Sequence, residues 1–212
     1  MSLKTLHWEP LSVIIFLTLA AKVFEARYRF VSAEIGTAAF VISLVLALAI
    51  LILSANRQAR RVEGVISFVF CLFLTYVACT ALYNIINFAL LHRAGEVDGL
   101  RLIASVIWLW MLNVLTFAVW YWNLDRGGPH GRDTLGHGTL DLLFQATTLP
   151  ELEGWKPSFI SYIFFSFCTS TAFSPTDTVP LTDRAKLLMM AQSLISLTIL
   201  TVVASRAIGL LS

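Results

Sequence analysis

The chain has 212 residues and a formal net charge of +2; 58% of its residues are apolar, 13% are charged, and the mean hydropathy is +0.79. Soluble domains have about half apolar and roughly a quarter charged residues, so this composition excludes an ordinary soluble protein. The small net charge, without a basic run interleaved with aromatic residues, excludes a nucleic-acid-binding protein. The apolar residues form long runs separated by short charged clusters, which indicates an integral membrane protein in a lipid bilayer.

Two apolar segments lie in the N-terminal quarter of the chain. Residues 10–24 are apolar but short, and we interpret them as a retained first helix, extended through residues 25–30, rather than a cleaved signal peptide. Residues 35–54 are nearly uncharged and long enough to cross a bilayer, and a basic cluster follows them: Arg57, Arg60 and Arg61.

Two further long apolar segments, residues 62–91 and 102–124, are predicted to be the third and fourth transmembrane helices. Tryptophans and a tyrosine gather near the ends of the fourth, as in the aromatic belts of spanning helices. Polar side chains recur at helical spacing along these two segments and the last one. We expect those of the third and fourth segments to hydrogen-bond between helices, as intramembrane polar groups usually do: Tyr76, Thr80, Tyr83, Asn84, Asn87, Asn113 and Thr116. Gln192 belongs to the polar stripe of the last segment.

The polar connection over residues 125–158 carries side chains of metal-ligand type, namely His130, Asp133, His137 and Asp141. Their spacing fits no recognised zinc pattern, and the chain has no H-E-x-x-H, G-x-S-x-G or P-loop motif. We therefore expect no metal, no cofactor and no enzymatic activity. A membrane enzyme that uses these histidines is the third and weakest of the functions considered.

A short apolar segment, residues 158–172, precedes the last long one. Its 15 residues make roughly 22 Å of helix, against a hydrocarbon core of about 30 Å. Polar residues follow at once, and Pro175 and Pro180 prevent simple continuation of the helix. We predict a re-entrant half-helix, a non-helical return and a final transmembrane helix over residues 187–211.

The end of this return segment reads Asp177, Thr178, Val179, Pro180, Leu181 and Thr182. It matches, without a gap, the D-x-x-P-x-T pattern at the end of the selectivity filter of potassium channels. Their pore module is a helix, a short pore helix, a T-T-V-G-Y-G-D filter and an inner helix, and residues 102–211 resemble it in the order of their segments. In this register Thr171 falls on the first filter threonine. The next five residues replace T-V-G-Y-G: Ala172, Phe173, Ser174, Pro175 and Thr176.

The filter-like loop departs from the potassium-channel pattern at both glycine positions, which hold Ser174 and Thr176. Potassium filters bind the ion with backbone carbonyls, in a conformation that glycine permits and other residues resist. Potassium selectivity is therefore not carried over. The resemblance instead implies a homotetramer that conducts monovalent cations with weak selectivity. Its lining would be hydroxyls, a carboxylate ring and inner-helix serines: Thr169, Thr171, Ser174, Thr176, Asp177, Ser193 and Ser196.

A second resemblance covers most of the chain. The sequence W-Y-W-x-L-D-R-G-G-P, from Trp120 to Pro129, and the sequence T-A-F-S-P-T-D-T-x-P-L-T, from Thr171 to Thr182, are similar to those of a group of uncharacterised bacterial inner-membrane proteins. This similarity implies a multi-pass protein of the inner membrane and brings no activity with it.

Together these patterns predict an all-α integral membrane protein with about five transmembrane helices and a re-entrant pore-type half-helix before the last one. Residues 1–98 would form three N-terminal helices and residues 99–212 a pore-like module. A structural alternative exists for the loop, because Ser174 can cap a helix with Asp177 three residues on, and Thr182 can cap the last helix. On that interpretation the protein is a non-conducting membrane scaffold or sensor on a degenerate pore fold.

Two features of the sequence favour opposite orientations in the membrane. The basic cluster of residues 57–61 and the connection of residues 125–158 should lie on the same side, and basic residues favour the cytoplasm. The resemblance to potassium channels favours a pore loop that opens outward. We expect the outward orientation.

Overall fold

The computed structural model describes residues 41–50 apart from 43 and 47, and residues 60–91, 99–128, 140–171, 173 and 177–211. Most of these residues are helical, as the sequence predicts. The first predicted segment and most of the second lie outside the described residues, and residues 41–50 are helical where described.

Four helices make up the described part of the chain: α1 (Arg60–Leu91), α2 (Gly99–Leu124), α3 (Phe159–Ser170) and α4 (Asp183–Leu211). Three of them are long and apolar enough to cross a membrane, over Gly64–Asn87 in α1, Ile103–Gly127 in α2 and its end, and Asp183–Val202 in α4. The predicted third, fourth and fifth apolar segments are thus confirmed as long helices. The helix α3 is the short apolar one, with 12 residues.

The helix α2 is the centre of the bundle, and α1 lies antiparallel to it. Near the end of α2, the indole Nε1 of Trp120 donates to the hydroxyl of Thr75 at 2.9 Å. Towards the other end, Ala78 and Ile85 of α1 share a buried apolar cluster with Val106, Leu109 and Leu112 of α2. The beginning of α1, with its arginines, therefore lies at the same end of the bundle as the end of α2.

The helix α4 is also antiparallel to α2. Its Gln192 contacts Tyr121 near the end of α2, whereas Ile199, two turns later, joins the cluster that contains Val106 near the beginning of α2. The three long helices therefore run alternately up and down, and α4 begins where α2 ends.

The short helix α3 packs along α2 in the opposite direction. The rings of Phe159 and Tyr162 meet the Trp122 ring edge to face, with centroids 5.5 and 5.2 Å apart. Two turns further on, the Phe167 ring meets Trp110 at 5.4 Å. At 1.5 Å per residue, α3 covers about 18 Å of the length of α2.

A two-stranded antiparallel sheet closes the end of the bundle where α2 ends. Strand β1 (Leu142–Phe144) pairs with β2 (Thr178–Pro180), with Leu142 opposite Pro180 and Phe144 opposite Thr178. The prediction of an all-α protein is wrong in this detail, because strands of three residues carry no recognisable periodic pattern.

The sheet also fixes where the chain goes after α3. β1 lies beside the end of α2, since the backbone N–H of Leu142 donates to Asp125, the residue that follows α2. β2 is therefore back at the end of the bundle from which α3 departed. The chain therefore leaves the end of α3 at Thr171 and is back at the other end of α3 by Asp177, which directly precedes β2.

Candidate functional site

The candidate site is the region where α2, α3 and α4 pack together, with Thr171 at the end of α3 and Asp177 just before β2. A buried hydrogen-bond network joins the three helices there. The Tyr121 hydroxyl of α2 donates to Oε1 of Gln192 on α4 at 2.8 Å. The Gln192 amide donates in turn to the hydroxyl and the carbonyl of Ser166 on α3, at 2.7 and 2.9 Å. The Ser166 hydroxyl donates to the Val114 carbonyl of α2 at 2.6 Å. Each polar atom used here would be costly to bury alone, so the network fixes α3 between its neighbours.

One turn along α4 from Gln192, a second buried pair joins α2 to α4. Nδ2 of Asn113 donates to the Ser196 hydroxyl at 2.8 Å, and both side chains are buried. The expectation that polar residues of the fourth segment hydrogen-bond between helices is confirmed for Asn113. Gln192 on α4 makes contacts of the same kind. The hydroxyl of Thr116 is buried without a hydrogen-bond partner among the described residues. In the α1 stripe, Tyr76 and Tyr83 are exposed.

The two filter-like threonines of α3 turn their hydroxyls onto their own helix. Thr169 is buried and donates to the Phe165 carbonyl at 2.9 Å. Thr171, which ends the helix, donates to the Phe167 carbonyl at 2.9 Å, and its backbone N–H donates to the same carbonyl at 3.1 Å. The Thr171 side chain is partly exposed, and its hydroxyl oxygen keeps lone pairs that can accept from outside the helix. The Thr169 hydroxyl is enclosed by the protein.

Besides Thr171, two residues of the returning loop are described, Phe173 and Asp177. The ring of Phe173 is 70% exposed. Asp177 is half-buried; its Oδ1 accepts the Thr178 hydroxyl at 3.0 Å, and its carbonyl accepts the backbone N–H of Gln145 at 2.8 Å. The remaining predicted filter residues lie outside the described residues: Ala172, Ser174, Pro175 and Thr176.

The two serines predicted to line an inner-helix cavity differ in exposure and contact different helices. Ser193 is exposed on α4, and its hydroxyl lies 3.5 Å from the Thr169 carbonyl at the end of α3. Ser196 is buried against α2 through Asn113. The structure therefore places Ser193 next to the end of α3 and Ser196 between α2 and α4.

A buried carboxylate, Asp141, holds the sheet to the ends of two helices. Its Oδ1 accepts the Thr182 hydroxyl and Nε of Arg184, both at 2.6 Å, and its Oδ2 accepts Nη2 of Arg184 at 2.6 Å. Oδ2 also lies 3.3 Å from the backbone N–H of Arg126, which follows α2. A bidentate arginine–carboxylate pair is among the strongest polar contacts in proteins. Thr182 also caps α4, as predicted, with its hydroxyl 3.4 Å from the backbone N–H of Ala185.

A second buried carboxylate, Asp125, joins α2 to α3. The Tyr162 hydroxyl donates to its Oδ2 at 2.7 Å, and the Leu142 N–H to its Oδ1 at 3.3 Å. We call Asp125, Asp141, Thr182 and Arg184 the junction. Sequence reasoning missed it. The available signal was weak: Asp125 lies in the W-Y-W-x-L-D-R-G-G-P sequence and Asp141 in the polar connection, and their side-chain partners lie 37 to 43 residues away in sequence.

The junction also bears on the metal-ligand residue types of the connection. Both oxygens of Asp141 are occupied by Thr182 and Arg184. His130, Asp133 and His137 lie outside the described residues. Among the residues that the structure describes, no three histidine, cysteine or acidic side chains form a group that could hold a metal ion.

Comparison of the chain with protein-family models, with curated proteins and with solved structures finds no match.

Proposed function

We propose that the chain forms a homotetrameric, weakly selective cation channel of the inner membrane, with α2, α3 and α4 as its pore module. One observation carries the proposal. A helix too short to cross a bilayer is fixed between two long apolar helices, and its chain returns to the end from which it started. Non-helical backbone at membrane depth is tolerated where it is buried in protein or lines a water-filled cavity. A re-entrant pore helix with a filter-like return satisfies that condition.

The low burial of α4 within the chain is compatible with an assembly around this helix. In their most apolar windows, 56% of α2 is buried within the chain, but only 28% of α1 and 22% of α4. The apolar side chains that α4 leaves exposed repeat every three or four residues: Leu187, Met190, Leu194, Leu197 and Leu200. In a fourfold assembly these faces of α4 would contact neighbouring subunits and lipid, and Ser193 would line the axis beside the end of α3.

The chemistry of the loop supports cations as the permeant species. Four copies of Asp177 around an axis form a carboxylate ring, which favours cations over anions without strong discrimination among cations. The hydroxyl oxygens of Thr171 add neutral acceptors deeper in the loop. In this account Thr171 to Asp177 form the constriction.

The experiment that tests this proposal measures the mass of the assembly and the ion flux through the same preparation. Purified protein in a lipid nanodisc or mild detergent is weighed by native mass spectrometry, and the same preparation is reconstituted into liposomes loaded with potassium, sodium or chloride gradients. We expect a mass of four chains and a flux of both cations that exceeds chloride flux. A monomer or dimer without flux would contradict the proposal and favour the non-conducting scaffold or sensor.

A further inference from the structure

The junction lies at one end of the two-stranded sheet and Asp177 at the other. Asp141 directly precedes β1, and its carbonyl accepts the Leu181 N–H at 2.9 Å, just past β2. Asp177 directly precedes β2, and its carbonyl accepts the Gln145 N–H at 2.8 Å, just past β1. The backbone position of Asp177 is therefore set by the register of this ladder.

A ladder of three residue pairs does not hold its register alone. Isolated two-stranded hairpins are marginally stable, and a slip of one residue moves every side chain to the opposite face. Here the strands are also 36 residues apart in sequence, so no tight turn fixes their pairing. Burial of Leu142 and Phe144 and the hydrogen bond from Leu142 to Asp125 hold β1 in place. Asp141 supplies the side-chain contacts that join the start of β1 to the residues after β2, Thr182 and Arg184.

We propose that Asp141, acting through Arg184, is the positioning residue that fixes Asp177 at the constriction of the proposed pore. This inference rests on the proposed function for the role of Asp177, but the placement itself is measurable without conduction. The Asp141 carboxylate is fully buried while the Arg184 side chain is about half exposed. Removing the charge of Asp141 therefore loosens the sheet at one end, and the loop gains freedom at the other.

The test measures how fast a thiol at position 177 reacts with a charged, membrane-impermeant reagent. The background is the full chain with Asp177→Cys and with the exposed Cys79 replaced by Ser; the other two cysteines are buried. To this are added Asp141→Asn, Arg184→Gln, both together, or the control Glu151→Gln, which removes an exposed carboxylate of the same connection.

We expect Asp141→Asn and Arg184→Gln each to speed labelling about tenfold, the factor that one lost charge-assisted hydrogen bond gives in an equilibrium constant. The double variant should label no faster than either single one, because the two side chains act as a pair. Glu151→Gln should leave the rate unchanged. Unchanged labelling in Asp141→Asn and Arg184→Gln, or rates that multiply in the double variant, would overturn the inference.

Where Asp141→Asn does not fold, Arg184→Lys carries the test, since lysine keeps the charge but cannot make the bidentate contact. A faster rate supports the inference and an unchanged rate overturns it. Liposome flux is measured on Asp141→Asn and Glu151→Gln with position 177 intact. If the labelling pattern holds while the unsubstituted protein carries no flux, the channel proposal fails and the placement of Asp177 stands. If the protein conducts cations but Asp141→Asn and Arg184→Gln leave the labelling rate unchanged, the channel proposal stands and the positioning role of Asp141 fails.

Discussion

Tyr121 on α2 and Gln192 on α4 are fully buried and share a 2.8 Å hydrogen bond in which the phenol donates to the amide oxygen. The amide nitrogen of the same Gln192 donates to Ser166 on α3. A single glutamine thus connects the two long helices of the pore-like module to the short one between them. In a bilayer interior such a residue specifies helix arrangement, because each helix alone would leave a polar group unsatisfied.

Replacing Gln192 by leucine should destabilise the module by about 1 to 2 kcal/mol, because the Tyr121 hydroxyl and the Ser166 oxygen atoms lose their partner. The measurement is thermal unfolding of the purified protein in detergent. Thr198→Val is the matched control, since Thr198 is exposed on the same helix and donates only to its own helix at Leu194. Equal unfolding midpoints for the two variants would contradict the role given to Gln192.

Replacing Tyr162 by phenylalanine removes one donor from the buried carboxylate of Asp125 and leaves the ring in place. Hydrogen bonds to charged groups contribute about 1.5 to 3 kcal/mol, so this single oxygen should lower the unfolding midpoint clearly. Tyr83→Phe serves as the control, because the Tyr83 side chain is 65% exposed. A midpoint that falls as much for Tyr83→Phe as for Tyr162→Phe would show that the Asp125 contact does not matter.

The turn after α2 supplies a backbone test. Gly128 has φ +82° and ψ −172°, a region that glycine alone adopts readily, and an added Cβ would lie 3.2 Å from the Asn123 carbonyl oxygen. Gly127 has φ +74° with open space around the added Cβ. We expect Gly128→Ala to cost about 1 to 3 kcal/mol and Gly127→Ala less, measured by the same unfolding experiment. The opposite order would mean that this turn differs from the one described.

Much of the helical fold follows from the sequence, because long apolar runs and a bilayer-sized length leave few alternatives. The segments predicted over residues 62–91 and 102–124 correspond to α1 and α2, and the end of α4 agrees with the prediction. The last helix begins four residues earlier than predicted, at Asp183. The first turn of α4 was missed because Asp183 and Arg184 are charged, and the prediction followed the apolar run that begins after them.

The junction could not be predicted because its parts are distant in sequence and individually unremarkable. Asp141 shares its segment with two histidines, so its residue type suggested a metal ligand rather than an arginine partner. The pairing with Arg184 depends on a sheet of three residues per strand, which leaves no periodic signal. Asp177 and Thr171, in contrast, came from a motif match, and the structure places both on the segment that returns from α3.

Planar-bilayer recording of Asp177→Asn beside the unsubstituted protein shows whether Asp177 lies at the constriction of a cation-conducting pore. Glu153→Gln is the matched control, because it removes an exposed carboxylate from the connection of residues 125–158. If the Asp177 carboxylates line the constriction, Asp177→Asn lowers the conductance and shifts the reversal potential towards equal cation and chloride permeability. Glu153→Gln leaves both unchanged. Cation currents with the same conductance and reversal potential in Asp177→Asn as in the unsubstituted protein would contradict this position of Asp177.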